Sequence, residues 1–118
     1  MRYLLLLYFD ENSWDASPAE ERQAAHLGYG RLTADLAASG KLGAGDALQR
    51  TRTATTVRVR DGEVLMTDGP YAETKEQLGG FYLIDAEDLD EAVQWATRVP
   101  AHGNMAVEVR PIMEINFD

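Results

Sequence analysis

The chain opens with Arg2-Tyr3-Leu4-Leu5-Leu6-Leu7-Tyr8-Phe9, eight residues that are almost all aliphatic or aromatic. Such a run is far shorter than the roughly 20 apolar residues that cross a bilayer. It stops at Asp10-Glu11-Asn12 without a small-residue cleavage motif, so it reads as neither a membrane span nor a secretion leader. A short continuous apolar run is the signature of a strand covered on both faces, and a sheet with this strand near its centre is the first expectation. A cytoplasmic location is the corresponding default.

The next segment changes period. Ser17-Pro18-Ala19-Glu20 has the spacing of a capping box, and Ala25, Tyr29, Leu32 and Leu36 then recur at intervals of four, three and four, one stripe of a helix over 18 to 39. Gly40 is placed to end it in the left-handed conformation. Leu42 to Leu48 reads as a short irregular strand. Thr53 to Arg60 and Glu63 to Thr67 flank Asp61-Gly62, two residues that tolerate positive φ, and so form a hairpin. Phe81 to Ile84 is a further strand, and Asp88 caps a second helix with the stripe Leu89, Ala92, Val93 and Ala96, ending before Pro100. Val107 to Arg110 alternates as a last, half-exposed strand.

This order predicts an α+β fold of the ferredoxin-like, split βαβ kind, an antiparallel sheet with two helices on one face. At 118 residues and without an internal repeat or linker, a single domain over 1–118 is expected. No third helix is foreseen for the other sheet face, and pairing with a second copy is the economical cover, which predicts a homodimer. The net charge of −9 repels nucleic acid. There is no cysteine, hence no disulfide, thiolate nucleophile or cysteine-held metal, and the two histidines have no spacing that places two metal ligands on one helix face. No phosphate loop, dinucleotide fingerprint or nucleophile elbow occurs, so no cofactor is expected.

The stretch Val64-Leu-Met-Thr-Asp68-Gly69-Pro70-Tyr71-Ala-Glu-Thr-Lys75-Glu-Gln-Leu-Gly-Gly-Phe-Tyr82 resembles the signature of the DGPF-domain branch of the YCII-related family, with Tyr71 where that name has Phe. The resemblance extends to Tyr3-Leu4-Leu5-Leu6, Ser39-Gly40 and Ala54 to Arg58, and so covers nearly the whole chain in order. It implies a dimeric α/β barrel, the architecture shared with muconolactone isomerase. In the wider group, which includes a chlorinated-hydroquinone dehydrochlorinase, a helix-one histidine paired with an aspartate has been proposed as an active site. His26 stands at the corresponding place here. The Asp-Pro-aromatic motif that often follows the second helix is replaced by Val99-Pro100-Ala101, so an orienting carboxylate has to come from elsewhere. Asp68 is the first candidate and Asp46 the second. The resemblance also implies an alternative, a non-catalytic ligand-binding or regulatory module, since family genes often adjoin extracytoplasmic-function sigma factors.

The residues themselves are compatible with both readings. His26 lies at the edge of the apolar stripe, where an imidazole exchanges protons near neutral pH, and the nearby Gly28 and Gly30 ask for a clearance reason inside a helix. Asp68-Gly69-Pro70-Tyr71 is turn chemistry as well as a place for an orienting carboxylate. Lys75 suits an anionic substrate or a pairing with Glu73. Tyr8, Tyr71, Phe81, Tyr82 and Trp95 suit an aromatic pocket, a core or an interface. His102, alone in a loop, is expected at the surface. The expected chemistry is isomerase, lyase or dehalogenase proton transfer by His26 with Asp68, the substrate being held by Tyr8, Tyr71 and Lys75.

Overall fold

The computed structural model describes residues 1–117. The opening run forms β1 (Arg2–Phe9), followed by α1 (Glu11–Ala16), α2 (Ala19–Ala38), β2 (Leu42–Ala47), a 3-10 turn (Thr51–Thr53), β3 (Thr55–Arg60), β4 (Glu63–Asp68), β5 (Gln77–Asp85), α3 (Leu89–Ala96) and β6 (Ala106–Pro111). Four strands make an antiparallel sheet in the order β2-β5-β1-β6, and β3 pairs with β4 alone as a separate two-stranded ribbon. The fold is α+β, compatible with the ferredoxin-like expectation, and among the described residues the sheet does not close into a barrel.

β1 is central because it has a neighbour on each side: Leu5 faces Tyr82 of β5 and Val109 of β6. Its side chains alternate between faces. Tyr3, Leu5 and Leu7 are buried against Leu32 and Leu36 of α2, Ala92 of α3, and Val99. Leu4, Leu6 and Tyr8 point to the opposite face and are half-buried. Among the described residues no helix is long and apolar enough to cross a membrane.

The local signals act where their chemistry permits. Gly40, at φ +71°, closes α2 with a Schellman motif: the Lys41 amide donates to Leu36 O and the Gly40 amide to Ala37 O. Asp61 and Gly62, at φ 49° and 79°, make the hairpin turn between β3 and β4. Asp88 caps α3 by accepting from the Glu91 amide at 2.9 Å.

The capping box at Ser17 does not form. Pro18 itself occupies the position before α2 and carries no side-chain acceptor, while the Ser17 hydroxyl donates back to Ser13 O at 2.8 Å and closes the unforeseen helix α1. That helix starts at Asp10, whose carboxylate accepts from the amides of Asn12 and Ser13. The acidic cluster after β1 is therefore a helix start, and the described residues hold three α-helices instead of the two expected.

Candidate functional site

The loops leaving the carboxyl end of β1 enclose a cavity of about 440 Å³ on the helix-covered side of the sheet. Its floor is Leu7 and Phe9 of β1, Gly79 to Tyr82 of β5, and Gly45 to Ala47 of β2. Its wall is Trp14 of α1, His26, Tyr29 and Thr33 of α2, and His102 from the loop after α3. Glycine is needed on the floor: a Cβ on Gly79 would lie 1.9 Å from the Phe9 ring, and one on Gly45 would lie 2.7 Å from the Tyr82 ring.

One wall carries the polar chemistry. The Tyr29 hydroxyl and His102 Nε2 are 2.7 Å apart. The His102 ring packs against both Phe9 and Trp14, at centroid distances of 5.2 and 4.5 Å, and its Nδ1 is buried without a hydrogen-bond partner. Burial holds the Tyr29 hydroxyl far above its ordinary pKa, so it stays protonated at neutral pH. Burial, assisted by nearby His26, lowers the pKa of His102, so the pair is a neutral phenol on a neutral imidazole. Thr33 uses its one hydroxyl hydrogen on Tyr29 O at 2.8 Å, so the 2.8 Å contact with Tyr82 is donated by the tyrosine.

His102 reaches this position because Gly28 lets its loop approach α2. A Cβ on Gly28 would lie 2.7 Å from Pro100 Cγ, and the loop is fixed farther on by the Asp10 amide, which donates to Gly103 O at 2.9 Å. The surface position expected for His102 is thus overturned. Gly28 makes room for Pro100, and Gly30 has open space beside it.

His26 is exposed at the rim, with its ring edge-on to Trp14 at 5.6 Å. Among the described residues no carboxylate hydrogen-bonds to it. The carboxylates that do line the cavity are Glu11 and Asp46. Glu11 accepts from the amide and hydroxyl of Thr51, at 3.0 and 2.7 Å, and so anchors the 3-10 turn. Arg50, also on the rim, is held by Asp15. Asp46 stands on edge strand β2, and its carboxylate has no hydrogen-bond partner among the described residues.

The other anticipated residues lie apart. Asp68 ends β4 opposite Thr55 and does not line the cavity. Tyr8 and Tyr71 line a second hollow of about 550 Å³, which shares Leu48 and Arg50 with the first. Lys75 is exposed and lines neither. Phe81 and Tyr82 are in the first cavity, whereas Trp95 packs on the core and donates to Glu91. Reading the sequence missed Trp14 and the Tyr29–His102 pair. The available signals were Asp10 as a helix cap and the clearance demanded by Gly28.

The His102 shift has a consequence for stability. The unfolded chain protonates this ring near its ordinary pKa of 6.5 and the folded chain only at lower pH, so the contribution is full above that value and is lost as pH falls through it. Carboxylates held low by partners, such as Glu91 at about 2 through the Glu87 amide, the Lys41 ammonium and the Trp95 indole, act in a more acidic window. Urea midpoints should therefore fall between about pH 7.5 and pH 5.5, and His102→Gln should flatten that slope. An unchanged slope in the variant would remove His102 as its cause.

The YCII-related domain model matches residues 1–116. An uncharacterised protein of Rhizobium meliloti (strain 1021) is 40% identical over 116 residues, covering 95% of this chain and 92% of that protein. The cavity with His26 on its rim is thus built by a chain that belongs to the YCII-related family.

Proposed function

We propose that the cavity binds a small, largely apolar molecule and that His26 exchanges a proton with it, in isomerase, lyase or dehalogenase chemistry carried by the chain's own side chains. The observation that carries this reading is the convergence of His26, Tyr29 and His102 on one aromatic-walled cavity of about 440 Å³. That volume lies within the roughly 300–1,000 Å³ of small-molecule sites, which combine apolar walls with a few convergent polar groups. Tyr29 anchors a polar atom of the ligand, Trp14 and Phe9 hold its apolar body, and His26 at the rim keeps contact with solvent for proton exchange. Asp46 shares the cavity with His26, which favours it over Asp68 as the orienting carboxylate. The working unit is a homodimer, supported by the half-buried apolar side chains of Leu4, Leu6 and Tyr8 on the sheet face away from the helices.

A second reading, a non-catalytic ligand-binding or regulatory module tied to sigma-factor signalling, is favoured by the lack of a carboxylate hydrogen bond to His26 among the described residues. One experiment separates the two. Small aromatic and carbonyl compounds are screened by thermal shift against the wild type and His26→Ala, a substitution at an exposed position. Hits with acidic C–H bonds are then followed by NMR in deuterated buffer. Wild-type protein should accelerate deuterium incorporation at least ~100-fold over His26→Ala, the scale of general acid–base catalysis. Hits that bind both proteins and exchange equally would sink proton transfer and leave the binding module.

A further inference from the structure

Among the described residues no further strand pairs with the β3–β4 ribbon, yet it is patterned like half of an interface. Its register places Val57 beside Met66 and Val59 beside Val64, and directly opposed residues of an antiparallel pair share a face. These four side chains form one apolar stripe, exposed by 57, 70, 67 and 62% respectively. The other face carries Thr56 with Thr67, Arg58 with Leu65, and Arg60 with Glu63, mostly polar apart from Leu65, while Thr55 and Asp68 end the apolar face at the base of the ribbon. This division is the pattern of a sheet covered on one side. An isolated two-stranded hairpin is marginal in water and needs something to pack against. At its base it is tied only locally, by the Gly69 amide donating to Ala54 O and the Thr56 hydroxyl donating to Gly69 O.

We propose that this ribbon is an arm whose apolar stripe docks on the bare sheet face of a second copy of the chain, an inference that rests on the homodimer reading above. Three observations select a second copy as the occupant. The chain is a slab 19 Å through its thinnest dimension, one helix layer on one sheet, with Leu4, Leu6 and Tyr8 uncovered by helices on the far side. Its radius of gyration of 16.4 Å exceeds the ~13.5 Å of a compact domain this long, as expected of half an assembly with a projecting arm. The four stripe residues expose on the order of 100 Å² each, roughly half of the ~800 Å² that each partner contributes to a specific interface. Leu4, Leu6 and Tyr8, half-buried on the receiving face of the same chain, add to it. Arm and receiving face belong to one sequence, so a twofold axis satisfies both reciprocally and leaves neither open.

The test uses the full chain in analytical ultracentrifugation, with Val57→Lys/Met66→Lys on the stripe and Leu65→Gln on the opposite face as a control. The wild type and the control should sediment as dimers, and the stripe variant should dissociate with a Kd raised at least ~100-fold while its circular dichroism is retained. A second measurement needs no substitution: hydrogen exchange of the β3 and β4 amides should quicken as wild-type protein is diluted through its Kd. A monomeric wild type would overturn both the homodimer reading and this one. A dimer that survives in the stripe variant, or ribbon exchange independent of concentration, would leave the homodimer standing and overturn the arm.

Discussion

Gly79→Ala should lower the stability of this protein by ~3 kcal/mol, at the upper end of the cost of overpacking. The new methyl group would stand 1.9 Å from Phe9 Cε1 and 2.7 Å from Cδ1, so the ring has to swing away. Swinging into the cavity it borders would cost Phe9 its edge-on packing against Trp14 at 6.2 Å and His102 at 5.2 Å. The change should therefore appear twice: as a lower urea midpoint, and as altered emission from Trp14 on the same cavity wall. Combining Gly79→Ala with Phe9→Leu should recover part of the loss, a coupling that a double-mutant cycle measures directly. A stability equal to wild type would mean that β5 and β1 separate more easily than their shared register implies.

Leu5→Ala should cost ~3–4 kcal/mol, within the range for truncating a fully buried leucine. Leu5 has no exposed surface and sits on the central strand between Tyr82 and Val109, packed in the cluster that includes Leu32 and Leu36. Neighbours on both sides and above leave the strand little freedom to collapse into the void. Calorimetry should show a melting temperature lower by about 10 °C or more. Leu4→Ala, one residue away on the open face, should be much milder, because Leu4 is only half-buried.

Much of the fold was legible because its signals are local. The Gly40 stop, the Asp61-Gly62 turn and the Asp88 cap each act through backbone conformation or one nearby hydrogen bond, and each is found where its chemistry places it. The Ser17 capping box failed because a second local arrangement, the end of α1, used the same hydroxyl first. A helix of six residues is too short to show a period, so Trp14 could not be placed.

The site was less legible because its parts are distant in sequence. The stripe of Ala25, Leu32 and Leu36 is buried as its period foretold, and His26 at its edge lines the cavity rim. His102 meets Tyr29 across 73 residues, through a loop whose approach depends on an absent side chain at Gly28. Asp68 was singled out from a motif, but motif membership says nothing about which side of the sheet a loop faces. The motif instead shapes the end of β4 and the loop beyond it, with Pro70 and Tyr71 in the second hollow.

The position of β1 bears on the order in which the protein can be made. β1 is made well before its two neighbours in the sheet, β5, residues 77–85, and β6, residues 106–111. At ~5–20 residues per second, on the order of 5–20 s pass between the synthesis of Leu5 and that of its last neighbour. Until β5 has been made Leu4 to Leu7 has no strand beside it, only α2 as an early cover, and its other edge stays open until β6 follows. A nascent-chain trap or holding chaperone should therefore find this strand protease-sensitive until β6 has emerged. The rate at which the sheet closes is then set by the longest sequence separations in the fold, not by its helices.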